Sequence, residues 1–110
     1  MTGKNVVQVD EGNFESAALK SSLPTLVDFT AAWCPPCRAI APSVDAVGER
    51  YAGRLRVAAC DVDKSPQLAA AYEIRSLPTL LLFKDGRVVG QIVGAVPRAK
   101  IEALVEKALG

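Results

Sequence analysis

The sequence predicts an α/β fold, a three-layer α/β/α sandwich with a mixed five-stranded sheet and four helices. Three observations carry that prediction. Strand-like apolar runs alternate with helical patterns through the first two thirds of the chain. The run Thr25-Leu26-Val27-Asp28-Phe29-Thr30 alternates too little for a sheet face in water and reads as a central, buried strand. The last third opens on a hairpin signal, Asp85-Gly86, and closes on a helix. Two strand–helix crossovers followed by a hairpin and a helix give a mixed sheet with helices on both faces.

Taken in order, Val6, Val7 and Val9 form a brief first strand. Asn13 is placed to cap a helix running through Phe14, Ala17, Ala18 and Leu19 toward Ser21. After Pro24 comes the central strand, 25–30. From Pro35 onward Ile40, Val44, Val47 and Tyr51 recur at helical spacing, so one stripe of a long helix faces the core. Pro42 lies inside that helix, where it cannot donate to the Arg38 carbonyl and its ring crowds the preceding turn, so a bend is expected there. Leu55 to Cys60 is a third strand. A polar segment, Asp61 to Pro66, leads into a short helix from Gln67 to about Tyr72. Thr79 to Phe83 and Arg87 to Val93 flank Asp85-Gly86, a pair suited to positive φ, and should pair antiparallel. The last helix starts at Pro97 and buries Ile101, Leu104, Val105 and Ala108.

The chain has 110 residues, half of them hydrophobic and 23% charged, which suits one compact domain over 1–110. Its formal charge of +1 comes without any block of like charge, so neither nucleic acid nor a membrane surface is an expected partner. No run approaches the roughly 18 apolar residues of a membrane span. The polar start, Met1-Thr2-Gly3-Lys4-Asn5, lacks the apolar segment and small-residue cleavage site of a signal peptide, and the expected location is cytoplasmic. With no His in the chain, the usual general base and every imidazole metal ligand are missing, so chemistry falls to Cys, Asp, Lys or Arg. Three cysteines is an odd count, which argues against a disulfide framework and for a reducing compartment.

Two of those cysteines stand in Trp33-Cys34-Pro35-Pro36-Cys37, directly after a buried strand and at the start of a helix. The thiolate is the nucleophile in disulfide exchange, and a helix amino terminus favours it by aiming unpaired N–H groups at the sulfur. Pro35 and Pro36 lie in the first turn, where a missing N–H breaks no intrahelical bond. They stiffen the loop and leave the amides of Cys37 and Arg38 as the nearest donors to Cys34. Two other readings of the pair stand beside this one: half of a zinc site, which needs two more ligands, and two buried, inert thiols. Cys60, beside apolar neighbours, reads as a small buried hydrophobe.

From Val6 to Leu109 the chain resembles the thioredoxin family. The resemblance rests on Val27-Asp28-Phe29, on Ala32-Trp33-Cys34-Pro35-Pro36-Cys37, on Ile74-Arg75-Ser76-Leu77-Pro78-Thr79, and on Gly86 and Gly94. It implies the thioredoxin fold and a protein-disulfide reductase whose only redox group is the reversible Cys34–Cys37 dithiol/disulfide, with no metal and no other cofactor. Cys34 is then the nucleophile and Cys37, the more buried, the resolving thiol. Asp28, a carboxylate on a core strand, has a raised pKa and accepts the Cys37 proton through water. Trp33, Pro35, Pro36, Leu77, Pro78 in cis and Gly94 form the substrate-docking surface, where the Leu77 backbone pairs with an extended substrate segment. Implied partners are protein disulfides and, as electron donor, a thioredoxin reductase; the protein acts as a monomer. The chain departs from common members in having Pro35 for Gly, Thr30 for Trp and Ala59 for a frequent Lys. Competing functions are a dedicated thiol–disulfide partner, oxidase or isomerase of less reducing potential and, more distantly, a redox-inert binding module.

Overall fold

The computed structural model describes residues 3–110; Met1 and Thr2 of the polar start lie outside them. Five strands form one sheet: β1 (Val7–Val9), β2 (Thr25–Thr30), β3 (Arg56–Asp61), β4 (Thr79–Lys84) and β5 (Arg87–Val93), in the order β1-β3-β2-β4-β5. β3 pairs parallel with β1 and β2, while β4 pairs antiparallel with β2 and β5. The sheet is therefore mixed, as expected, and β2 lies at its centre. Three α-helices, α1 (Pro35–Arg50), α2 (Pro66–Ala71) and α3 (Arg98–Leu109), and a π-helical turn at Glu15–Leu19 complete the fold.

Alternation along the central strands sorts the side chains into two cores. Leu26, Val57, Leu80 and Leu82 face α1 and α3, where Ile40, Val44, Val47, Ile101 and Val105 meet them. Val27, Phe29, Ala58, Leu81 and Phe83 face the other way, onto Phe14, Ala17 and Ala18 of the first helical segment and Tyr72 beyond α2. Tyr72 stacks its ring edge on Phe83 at 5.4 Å between centroids, which ties the end of α2 to the sheet. Helices thus cover both faces. Cys60 is fully buried in the second core and unpaired, as its neighbours implied.

Several boundaries differ from those expected. The first helix does not take Asn13 as its side-chain cap: the Asn13 Oδ1 accepts the Asp10 N–H at 2.7 Å, and the Asp10 carboxylate takes the N–H groups of Gly12 and Asn13. Asp10 outcompetes Asn13 because its charged acceptor reaches both amides. The segment then closes as a π turn, with the Lys20 N–H bonded to the Glu15 carbonyl at 2.8 Å. Pro66 enters α2 one residue earlier than expected, and Pro97 is the residue before α3 rather than its first. Pro42 lies inside α1, which is one continuous helix from Pro35 to Arg50. At Asp85 and Gly86 φ is 55° and 79°, the positive values that a tight hairpin turn needs.

Candidate active site

The site lies where the carboxyl ends of β2 and β3 meet the amino end of α1. Thr30 is paired with Asp61, and the Val62 N–H extends that pairing to the Thr30 carbonyl at 2.9 Å. The loop from Ala31 to Cys34 and the turn after Asp61 are consequently side by side. Cys34 has extended backbone and is the cap of α1, and Pro35 and Pro36 occupy the first helical turn.

Cys34 and Cys37 are joined in a disulfide with their α-carbons 5.3 Å apart. Ala31 and the two cysteines form a small buried cluster, onto which Val62 and Leu77 pack. Exposure is 3% for Cys34 and 2% for Cys37, so in the disulfide form both sulfurs are buried to nearly the same depth. What differs is the space each one faces. Cys34 lines an apolar surface groove of about 470 Å³ with Trp33, Pro35, Pro36 and Leu77, whereas Cys37 lines a separate, solvent-open cavity of about 380 Å³ with Asp28.

Of the two amides expected to face Cys34, only one does. The Cys37 N–H donates to the Cys34 Sγ at 3.3 Å, while the Arg38 N–H goes to the Cys34 carbonyl at 3.1 Å. A capping side chain draws on the second or third helical amide, and here the second belongs to Pro36, which has none. Pro36, more than Pro35, thus withholds a donor. Pro36→Ala is expected to move the titration of the reduced Cys34 thiol, followed by ultraviolet absorbance, to lower pH. An unmoved curve would show that the added amide does not reach the sulfur.

The Trp33 indole is 64% exposed and is held by its Nε1–H, which donates to the Asp63 carboxylate at 2.7 Å. It stands as one wall of the groove. Val62, Ile74, Arg75 and Leu77 line it too. The Leu77–Pro78 bond is cis, and the Pro78 carbonyl accepts the Gly94 N–H at 2.8 Å. Gly94, at φ 93°, sits in the left-handed region that glycine favours. Pro78 and Gly94 are bonded to each other beside the groove but do not line it. Among the described residues the Leu77 main chain makes no backbone hydrogen bond.

Asp28 is in mid-strand, 4% exposed, with Ala59 of β3 and Leu80 of β4 beside it. Burial raises its pKa from 3.8 to about 7. Its Oδ1 has no hydrogen-bond partner among the described residues. Thr30 and Ala59, two of the departures noted in the sequence, line the same cavity as Asp28. Their short side chains leave that space open.

Sequence reading missed Asp63, Val62 and Arg38, whose guanidinium donates to the Ala32 carbonyl at 2.7 Å across the active-site loop. A signal existed: in an α/β sheet, loops at the carboxyl ends of adjacent parallel strands converge, which brings the 62–65 turn to the cysteines. The zinc reading finds no support in the geometry, since no cluster of three or more His, Cys, Asp or Glu able to hold a metal ion occurs among the described residues. Cys60 is buried in the core on the far side of the sheet from Asp28.

A family model for thioredoxin matches residues 5–107. Thioredoxin 1 of Nostoc sp. is 45% identical over 102 residues, covering 93% of this chain and 95% of that protein. The thioredoxin of Synechocystis sp. has the same identity and coverage of 93% and 95%. The chloroplastic M-type thioredoxin of Chlamydomonas reinhardtii is 46% identical over 101 residues, 92% of this chain and 72% of its own length. With its adjacent cysteines at the head of α1 and its mixed five-stranded sheet, the chain belongs to the thioredoxin family and is a thiol–disulfide oxidoreductase that reduces protein disulfides.

Proposed function

We propose that Cys34 is the attacking thiol, Cys37 the resolving thiol and Asp28 the proton acceptor for Cys37. The observation that carries this assignment is the division of space: Cys34 faces the open groove, and Cys37 faces the cavity that holds Asp28. In the reduced protein the Cys34 thiolate attacks one sulfur of a substrate disulfide. That S–S bond breaks, a mixed disulfide forms, and the departing sulfur leaves as a thiolate. Cys37 then gives its proton to Asp28 through water and attacks the Cys34 sulfur. The second substrate thiol is released, two electrons have passed to the substrate, and the protein is left as the Cys34–Cys37 disulfide.

Trp33, Pro35, Pro36 and Leu77 would hold the substrate beside Cys34, with Pro78 and Gly94 shaping the adjoining rim. The free main chain of Leu77 suits the addition of an extended segment by backbone hydrogen bonds, a contact tolerant of substrate sequence. The same reading has the chain act as a single-domain monomer in the cytoplasm. Its disulfide is regenerated to the dithiol by a thioredoxin reductase, without metal or organic cofactor. No helix among the described residues is long and apolar enough to cross a membrane, and the charge of +1 offers no field for nucleic acid.

The test is the equilibrium between dithiol and disulfide in glutathione buffers, read by Trp33 fluorescence, together with turnover by a thioredoxin reductase. The expected midpoint is strongly reducing, in the thioredoxin range of about −270 mV. A midpoint near the about −180 mV of a disulfide isomerase, with no turnover by the reductase, would replace reduction with isomerisation or oxidation.

A further inference from the structure

The cavity beside Cys37 has a composition that disulfide exchange alone does not require. Short apolar side chains, among them Ala31, Ala41, Val44 and Ala59, make much of its wall. Asp28 contributes a carboxyl that is more than nine-tenths buried and whose Oδ1 has no hydrogen-bond partner among the described residues. No cation forms an ion pair with it there. Of the basic groups lining the cavity, Arg38 has turned its guanidinium to the Ala32 carbonyl, and Lys64 is on the exposed turn after β3. Asp61, the other carboxylate of the lining, already takes the Asp63 N–H at 2.9 Å on one oxygen.

An ionised carboxylate in such a setting gains from any donor that reaches it, and most from a charged one. The space selects which. A hard metal ion needs about six oxygen ligands, and this cavity presents two carboxylates. Water can enter this cavity as a cluster of several molecules, as the proton path from Cys37 requires. Such a cluster leaves the apolar wall wet. A cation with an apolar tail satisfies both surfaces at once. We propose that this cavity is a binding site for a small primary alkylammonium ion, its N–H donors on the Asp28 carboxylate and its short alkyl tail against the alanine-rich wall. The proposal concerns the oxidised protein, in which Cys37 is held in the disulfide and has no proton to give to Asp28.

The experiment uses the oxidised protein, labelled with ¹⁵N, and follows the backbone amides of residues 28, 37 and 59 by NMR. Ethylammonium chloride is titrated at pH 8 and compared with ethanol, sodium chloride and the bulky tetraethylammonium ion at matched ionic strength. Ethylammonium alone is expected to give saturable shifts at these three amides. Binding requires the ionised carboxylate, and with Asp28 titrating at about 7 its apparent affinity should fall about tenfold from pH 8 to pH 6. The charged groups sharing the cavity are Arg38, Asp61 and Lys64, and Lys64→Met is expected to leave the ethylammonium titration in place. Asp28→Asn, which keeps the shape of the side chain, is expected to abolish it. Equal shifts with ethanol or tetraethylammonium, an undiminished titration in Asp28→Asn, or no saturation in the wild-type protein would each overturn the proposal.

Discussion

Cys34→Ser is expected to slow the cleavage of a protein disulfide by at least about a thousandfold, measured as substrate thiol released by the reduced protein. A serine hydroxyl is not ionised by the amino end of a helix, and it cannot form the S–S bond on which the exchange depends. Cys37→Ser is expected to behave differently. It keeps the sulfur that faces the groove and the Trp33 wall, so attack on the substrate proceeds. It removes the sulfur on the Asp28 side, so the mixed disulfide has no internal path to release. The covalent adduct should accumulate to near one equivalent and be visible by mass spectrometry without reductant. The pair of outcomes tests the assignment of roles as well as the need for both cysteines. Were Cys37→Ser inert and Cys34→Ser the variant that traps substrate, the two thiols would have exchanged parts. Retention of full activity by Cys34→Ser would point to a protein that uses this fold for binding alone.

The order of elements was legible because each depends on local pattern. Thr25–Thr30 and Arg87–Val93 form strands with the limits that their residues suggest, and Asp85-Gly86 turns where a positive φ is easiest. The cysteine pair was legible for the same reason, since five consecutive residues carry both the thiols and the helix start. Other features depend on where distant segments meet. The Trp33 indole finds Asp63 across 30 residues only because β2 and β3 are in a register that pairs Thr30 with Asp61. The cavity is defined by side chains that are short, Thr30 and Ala59, and their departure from the family pattern acquires meaning only once both are seen to flank Asp28. The π turn at Glu15–Leu19 was hidden as well. The apolar spacing of Phe14, Ala17 and Ala18 fits an α-helix, and the widened turn, closed by the Lys20 N–H on the Glu15 carbonyl, has no marker in composition.

Asp28→Asn is expected to raise stability above pH 7 and to remove a slope from its pH dependence. The folded protein holds the Asp28 proton up to about pH 7, whereas the unfolded chain releases it near the ordinary value of 3.8. Between these values the folded state binds more protons, so stability falls as pH rises. The favourable contribution is complete below about 3.8, is lost progressively up to about 7, and changes no further beyond it. A gap of about three units corresponds to about 4 kcal/mol. Asn has the same outline and no charge to desolvate, but its buried amide forfeits part of the gain, at about 1–3 kcal/mol. The net increase at pH 8 should be about 1–3 kcal/mol, read from urea unfolding of the oxidised protein, and near zero or negative at pH 4. A variant with the wild-type pH slope would show that Asp28 is better solvated than its 4% exposure indicates. The same substitution should cost function. If Asp28 accepts the Cys37 proton as proposed, resolution of the mixed disulfide is expected to rise in the wild type as Asp28 ionises around pH 7, and the variant to lose that inflection and resolve more slowly above it. Both changes together, a lost stability slope and a lost rate inflection at the same pH, are the result expected of a group kept for the proton it accepts and not for a contact in the folded core.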